Sequence, residues 1–194
     1  MKGIVSLLIF GLLTLSSHAQ EEKENLSVVG VHIGPALAGS LSISKDNWTP
    51  EVNKTAVTQL TYDYLVKKSF SIGATVAYQS IDLSLIDTLT NLKLEEGKID
   101  RIYIGARGLW HYGKSKNWDL YSGIKFGMIL FSPSGIKNNH TGESIIAREH
   151  TRSGPRIGII PIGCRYRISE NIAIGAQMSV GVPTIATINF NYAF

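Results

Sequence analysis

The chain has 194 residues, with 19 basic against 15 acidic side chains, a formal net charge of +4 and a single cysteine. A charge this mild, with no basic run interleaved with aromatic residues, argues against nucleic acid as a partner. One cysteine excludes an internal disulfide and a cysteine-based zinc site. No segment after residue 20 is long and apolar enough for a membrane helix.

The N-terminus has the pattern of an export signal. Lys2 precedes an apolar run over residues 4–15, and small residues occupy the two positions, Ser17 and Ala19, that signal cleavage requires. The alternative is an N-terminal membrane helix, which needs about 20 apolar residues. The run is shorter than that, and charged residues follow it at 21–24. We therefore predict a signal peptide over residues 1–19, cleaved after Ala19, and one mature domain over residues 20–194.

The sequence of the mature chain predicts eight β-strands separated by turns. Apolar and polar residues alternate with a period of two, which is the period of a strand and fits no helix. In the third strand, one face carries Phe70, Ile72, Ala74, Val76 and Tyr78, and the other carries Ser71, Gly73, Thr75, Ala77 and Gln79. The predicted strands lie near 26–36, 55–66, 70–80, 99–112, 118–131, 155–168, 171–182 and 184–194. Pro161 interrupts the sixth of these and suggests a bulge.

The connections between the strands alternate in length. Short turns over 67–69, 113–117 and 169–170 alternate with longer predicted loops over 37–54, 81–98 and 132–154. Short turns on one side and long loops on the other are typical of transmembrane barrels. A soluble antiparallel calyx would need a charged outer face, whereas the polar faces of the third and seventh predicted strands hold small, uncharged residues. The sequence therefore predicts an all-β fold, an eight-stranded antiparallel up-and-down transmembrane β-barrel, with its apolar face in lipid.

Aromatic residues crowd one end of the apolar face. Because rings with a polar tip favour the headgroup level, we interpret them as a girdle at the short-turn side of the membrane. The residues of this predicted girdle are Tyr62, Tyr64, Trp110, Tyr112, Trp118 and Tyr166.

Charged side chains occupy the other face, which a barrel would turn toward its lumen. The predicted lumen network consists of Asp63, Arg101, Arg107, His111, Asp119, Lys125, Arg165 and Arg167. Eight strands leave room for side chains and no open channel, which favours a salt-bridged plug over a selective pore. Bases outnumber acids, which favours an anion or a lipid phosphate.

One contact within this network follows from the hairpin that joins the fourth and fifth strands. A turn over 113–117 centred on Ser115 would, with a symmetric register, place His111 directly opposite Asp119. The alternative is a shifted register that leaves His111 against Tyr121 or the turn backbone.

The last segment, residues 184–194, alternates strictly and ends on aromatic residues, with Phe190, Tyr192 and Phe194 on one face. It resembles the C-terminal targeting strand of Gram-negative outer-membrane barrels. With the strand pattern, the mature chain resembles the small outer-membrane β-barrel superfamily typified by OmpX and the OmpA membrane domain. The resemblance implies a porin-like protein of the bacterial outer membrane. It also implies contact with outer-membrane lipid, and an assembly signal at these three aromatics that the barrel assembly machinery reads.

The sequence is compatible with two functions. In the first, a non-enzymatic barrel presents its extracellular loops to an unidentified surface or envelope partner, or supports envelope integrity. In the second, the barrel handles small apolar or anionic molecules, by a lateral opening or by modifying lipid. His140, Ser144 and Glu149 in the third long loop could form a hydrolytic site, but a polar loop is the simpler interpretation. We predict no catalytic residue, metal site or cofactor.

Overall fold

A computed structural model describes residues 27–36, 48–87, 89–90, 92–112, 115, 117–139, 153–181 and 183–194. The predicted signal peptide and its cleavage after Ala19 lie outside these residues. The strands are β1 (Ser27–Gly34), β2 (Trp48–Lys54), β3 (Val57–Lys67), β4 (Phe70–Asp87), β5 (Lys93–His111), β6 (Trp118–Asn138), β7 (Gly154–Arg167), β8 (Ile172–Met178) and β9 (Ala186–Ala193). Among the described residues, none forms a helix long and apolar enough to cross a membrane.

Eight of these strands close into a ring. β1 pairs with β3, each strand from β3 to β8 pairs with the next along the chain, and β9 returns to β1, always antiparallel. The seam continues to the last residue, because Ser27 and Phe194 exchange two backbone hydrogen bonds of 3.1 and 2.9 Å. The predicted eight-stranded antiparallel barrel is confirmed, with both ends of the described chain on its short-turn side.

The strand β2 is an addition to the ring. Its residues pair with the upper part of β4, from Trp48 opposite Asp87 to Lys54 opposite Ile81, and β3 pairs with the lower part of the same β4 edge. The pair β2–β3 is therefore one long strand interrupted at Thr55–Ala56. The Thr55 hydroxyl bonds the backbone of Ser80 across this gap. The prediction of a loop over 37–54 was wrong from residue 48 onward.

The wall of the barrel is of unequal height. Strands β4, β5 and β6 have 18, 19 and 21 residues, whereas β1, β8 and β9 have 8, 7 and 8. Crossing a membrane takes about 9–11 strand residues. The upper halves of β4, β5 and β6, together with β2, therefore stand beyond the lipid as a four-stranded sheet. The predicted loops over 81–98 and 132–154 were wrong in this respect, since both begin as continuations of strands.

The lower wall turns its apolar side chains outward. Val76 and Ile104 are opposite each other and are 45% and 50% exposed, while Thr75, which directly precedes Val76 on β4, is buried. A belt of exposed apolar side chains around a closed ring needs lipid as its solvent. The predicted assignment of the two faces is confirmed for this part of the wall.

The lipid belt ends at one aligned row of residues. Ser80 on β4 is opposite Asp100 on β5, which is opposite Ser132 on β6. Immediately below this row the outer face is apolar, ending at Ile102 and Leu130. We call the row Ser80–Asp100–Ser132 the boundary row.

A tyrosine marks this edge of the belt on its outer surface. The hydroxyl of Tyr78 donates to Asp100 Oδ1 at 2.8 Å. Its ring thus lies on the apolar belt while its polar tip reaches the first polar residue above it, as expected at a headgroup interface.

The predicted bulge at Pro161 is present. Tyr121 is opposite Gly163, but Gly123 is opposite Ile160, so β7 uses one more residue than β6 across this interval. The Ser122 hydroxyl donates to the Pro161 carbonyl at 2.7 Å. Proline lacks a backbone donor, and the bulge places it where none is needed.

Candidate functional site: the barrel lumen and the sheet above it

An ionic cluster occupies the lower lumen, with Asp63 at its centre. Arg107 donates to Asp63 through Nε, 2.5 Å from Oδ1, and through Nη2 to Oδ2. Arg165 donates from Nη2 to Asp63 Oδ2 at 2.7 Å. All three side chains are almost fully buried. One carboxylate thus connects three strands, β3, β5 and β7, across the interior of the ring.

A second carboxylate joins the cluster near the lower rim. Asp119 Oδ1 lies 2.8 Å from Nδ1 of His111, and its Oδ2 lies 3.7 Å from Nη1 of Arg165. The other ring nitrogen of His111, Nε2, is 2.9 Å from the Ser71 hydroxyl. The predicted contact between His111 and Asp119 is confirmed, although His111 is opposite Tyr121 in the register.

Lys125 is placed differently from the other cations. It is directly opposite Arg107 in the β5–β6 register and only 1% exposed. Its ammonium donates to the Ser179 hydroxyl at 3.1 Å, and among the described residues no carboxylate pairs with it. Two like charges face each other here, an arrangement that costs stability unless it is compensated.

Two of the predicted lumen residues lie apart from this cluster. Arg101 is buried higher in the barrel, where its Nη2 donates to the Pro183 carbonyl at 3.2 Å. Arg167 is the last residue of β7 and its side chain is exposed at the lower rim. The prediction that Arg167 belongs to the lumen network was wrong, because the strand ends there and the rim is open to water.

A glycine makes room for the aromatic part of the cluster. The ring of Tyr121 lies directly against Gly163, so that a Cβ added at Gly163 would be 2.2 Å from two ring carbons. The Arg165 guanidinium lies over the same ring, 4.7 Å from its centroid, a cation–π geometry. The glycine thus fixes where the ring, and with it the arginine, can lie.

The predicted girdle residues all lie on the outer face near the lower rim. Their side chains are exposed, apart from a half-buried Tyr62 whose hydroxyl contacts that of Ser27 at 3.1 Å. Trp118 and Tyr166 pack with ring centroids 4.8 Å apart. The residues of this predicted girdle are Tyr62, Tyr64, Trp110, Tyr112, Trp118 and Tyr166.

The proposed terminal signal lies at the seam. Phe190 and Tyr192 are exposed on the outer face of β9, and Tyr192 stacks with Phe194 at 6.2 Å between centroids.

Above the boundary row the two faces exchange character. The inward side chains Ile81, Leu83, Leu85 and Ile99 form a buried apolar cluster, packed by Val52, Phe131 and Ile136. We call these seven residues the upper core. The outer face here carries Asp82 and Lys98, and an exposed ion pair joins Lys137 to Glu96 at 3.1 Å. Polar outside and apolar inside is the arrangement of a sheet in water.

The upper core was missed by sequence reasoning, although a signal existed. Ile81, Leu83 and Leu85 continue the alternation of β4 without a break in period. They fall on the face that is polar below, which a membrane-barrel pattern does not allow. Several uncharged lumen residues were also not singled out, and buried polar atoms of Gln59, Thr75, Gln79 and Tyr103 have no hydrogen-bond partner.

A closed antiparallel ring with an apolar outer belt and a polar, ion-paired interior defines a class, that of integral outer-membrane β-barrel proteins. Comparison with solved structures agrees. The outer membrane protein OprG from Pseudomonas aeruginosa matches with a TM-score of 0.62 at 11% sequence identity, over 87% of this chain and 96% of that chain. At this identity the likeness establishes the fold. The expected resemblance to small outer-membrane barrels is thereby confirmed at the level of fold.

Two other solved structures are similar at lower scores. The attachment invasion locus protein Ail of Yersinia pestis matches with a TM-score of 0.47 at 14% identity, over 87% of this chain and 97% of that chain. The outer membrane protein AlkL matches with a TM-score of 0.48 at 15% identity, over 91% and 94%. A comparison with protein-family models finds no match, and none of the curated proteins matches the chain.

Proposed function

We propose that this protein is a non-enzymatic outer-membrane scaffold that holds a rigid sheet outside the lipid for contact with a surface or an envelope partner. The observation that carries the proposal is the exchange of faces at the boundary row. Below Ser80, Asp100 and Ser132 the apolar side chains of the strands face outward, as lipid requires. Above this row the apolar side chains of the same strands face inward, as water requires. A barrel that only had to span the membrane would not need the upper core.

The filled lumen supports the same proposal. The cluster around Asp63 joins β3, β5 and β7 across the ring, and Tyr103 and Ile129 pack above it with Val57 and Ala77. Such an interior braces the wall on which the sheet stands. It also favours a supporting role for the barrel over that of an open channel.

Export and assembly belong to this proposal. We propose that residues 1–19 direct the chain across the inner membrane and are removed after Ala19. We also propose that Phe190, Tyr192 and Phe194 are recognised by the barrel assembly machinery. Their exposure along the seam strand supports recognition before the ring closes.

The test shortens the sheet and leaves the barrel intact. Ile81 is opposite Ile99, so replacing residues 82–98 by Asn-Gly would join the two strands through a two-residue hairpin turn. We expect this variant to assemble at the cell surface but to fail to complement a strain that lacks the gene. The matched lumen variant Thr75→Gln should complement. The opposite pattern, with the shortened sheet active and the lumen variant inactive, would refute the scaffold proposal.

A second function, the handling of small apolar molecules through a lateral opening, draws on one observation. A largely apolar groove of about 500 Å³ lies on the low side of the wall, lined among others by Ile33, Pro35, Ile162, Met178 and Ile188. Here the β7–β8 ladder covers only Gly163–Arg167, and pairing resumes at Ile159 and Val180, which exchange two backbone hydrogen bonds of 2.8 Å. Filling the groove with Met178→Trp would block this function while leaving the sheet unchanged.

A further inference from the structure

The charge balance of the lower lumen singles out Lys125. Arg107, Lys125 and Arg165 supply three positive charges, and Asp63 and Asp119 supply two negative ones. Asp63 is shared by Arg107 and Arg165, and Asp119 is shared by His111 and Arg165. Both carboxylates therefore already pair with other cations. Among the described residues, the hydrogen-bond partner of the Lys125 ammonium is the Ser179 hydroxyl.

Two buried donors without a hydrogen-bond partner lie on the neighbouring strands β5 and β4. Nη1 of Arg107, the residue directly opposite Lys125, is buried without a hydrogen-bond partner. The hydroxyl of Thr75 is also buried and unpartnered, and Thr75 is a diagonal neighbour of Arg107 because Gly73 is opposite Arg107 and Thr75 is opposite Gly105. A buried donor left unpaired costs stability, and native structures commonly satisfy such groups with water or an ion.

We propose that the lumen holds a small monovalent inorganic anion, of the halide class, between Lys125 and Arg107. The donors are the ammonium of Lys125 and Nη1 of Arg107, with the Thr75 hydroxyl on the same side of the lumen. The space over Gly73 and Gly105 is taken by the Asp63 carboxylate and the Tyr103 hydroxyl, which a Cβ there would approach to 2.5 and 2.6 Å. The Tyr103 hydroxyl is also buried without a hydrogen-bond partner. An anion here supplies the negative charge that the two carboxylates do not, and water supplies none. This site does not depend on the scaffold function proposed above.

The test measures how the stability of the folded, full-length protein depends on halide. Midpoints of thermal unfolding in a non-ionic detergent would be compared in sodium chloride, sodium bromide and sodium gluconate at equal ionic strength. A ligand that binds only the folded state raises the midpoint with its concentration. We expect chloride and bromide to raise it and gluconate to leave it unchanged.

A pair of variants locates the effect. Lys125→Met removes the charge and keeps the length of the side chain, and we expect it to abolish the halide dependence. Lys98→Met is the matched control, because Lys98 is exposed on the outer face of the same sheet system. It should keep the full dependence. Loss of the dependence in both variants would assign it to surface screening and would overturn the proposal.

One measurement needs no variant and stands if Lys125→Met does not fold. Exchange of chloride with a protein site broadens its chlorine-35 NMR line, so the folded protein should broaden it more than the urea-unfolded protein in the same detergent. Equal line widths would overturn the proposal. Equal midpoints of thermal unfolding in chloride and gluconate would also overturn it, and would mean that Lys125 is neutral. Stabilisation by inorganic phosphate or by added anionic lipid, without an effect of chloride, would equally overturn it.

Discussion

His111 and Asp119 are joined by a hydrogen bond although they are not opposite each other in the sheet. The register places His111 across from Tyr121, and the Asp119 carboxylate reaches the Nδ1 atom of the ring diagonally at 2.8 Å. The Ser71 hydroxyl occupies Nε2 at 2.9 Å. Both nitrogens of the ring are therefore engaged, from β4 on one side and from β6 on the other.

The first prediction concerns the tautomer of this histidine. A carboxylate only accepts, so neutral His111 should carry its proton on Nδ1 and accept at Nε2 from Ser71. Nitrogen-15 NMR of the ring in detergent should show the Nδ1–H form in the native protein. Asp119→Ala should shift the population toward Nε2–H. A native spectrum dominated by Nε2–H would contradict the arrangement.

The second prediction concerns the carboxylate at the centre of the lumen. Asp63→Asn leaves Arg107 and Arg165 buried without the negative charge they share, which should cost about 3–5 kcal/mol of unfolding free energy. Urea-dependent unfolding from lipid vesicles measures this cost. The control Asp82→Asn, at an exposed outer position opposite Lys98, removes at most a surface charge pair and should change stability by less than about 1 kcal/mol. Similar costs for the two variants would show that the cluster adds little.

The third prediction compares two glycines of the wall. A Cβ at Gly163 would be 2.2 Å from the Tyr121 ring, whereas at Gly108 it would meet Phe70 at 3.6 Å, an ordinary contact. Gly163→Ala should therefore cost about 1–3 kcal/mol through overpacking. Gly108→Ala should be close to neutral. Unfolding in urea with tryptophan fluorescence as the probe distinguishes them, and equal effects would mean that the ring moves aside freely.

How far the sequence predicted the fold depended on which solvent each face meets. From Phe70 to Tyr78 the alternation predicted both the strand and its orientation, because apolar-out is the rule in lipid. Beyond Ser80 the strand persists, but Ile81, Leu83 and Leu85 turn inward in water. Because apolar side chains were expected to face outward, as they do in lipid, the predicted strand ended too early. The strand β2 was missed because it contains Pro50 and is held by pairing with distant residues of β4.

The sequence predicted which residues face the lumen, but it did not predict which of them pair with one another. Asp63, Arg107 and Arg165 were each assigned to the lumen, yet their mutual contact joins residues 44 and 102 positions apart. Such contacts depend on the closed ring. The symmetric register of the β5–β6 hairpin was wrong for a local reason. The Ser115 backbone N–H donates to the Trp118 carbonyl at 2.9 Å, and this turn moves the centre of the hairpin toward residue 116.

The fourth prediction tests the exchange of faces on one strand. Val76→Arg places a charge in the lipid belt and should cost about 2–4 kcal/mol. Ser84→Arg, on the same outer face of β4 but above the boundary row, is opposite Glu51 on β2 and Glu96 on β5 and should cost less than about 0.5 kcal/mol. Folding into vesicles at increasing urea measures both. Equal penalties would place the lipid boundary elsewhere.

The fifth prediction separates the two roles of the last residue. Phe194 closes the seam through its backbone and presents a ring for the proposed assembly signal. Phe194→Asp keeps the backbone bonds, so it should refold into detergent in vitro yet fail to assemble in cells and be degraded in the periplasm. Deletion of Phe194 should weaken both processes. Normal assembly of Phe194→Asp in cells would contradict the signal.

The three-strand contact of Asp63 has a consequence for how the barrel can be made. A lone hairpin of β4 and β5 that entered lipid would carry the Arg107 guanidinium without its counter-ion, because Asp63 arrives with β3. Arg165, the other cation that Asp63 pairs with, arrives with β7. Partly inserted intermediates are thus penalised by their own unpaired charges. Insertion should therefore be cooperative, with the ring closing as Asp63 pairs with Arg107 and Arg165. A partly formed barrel is unstable in the bilayer.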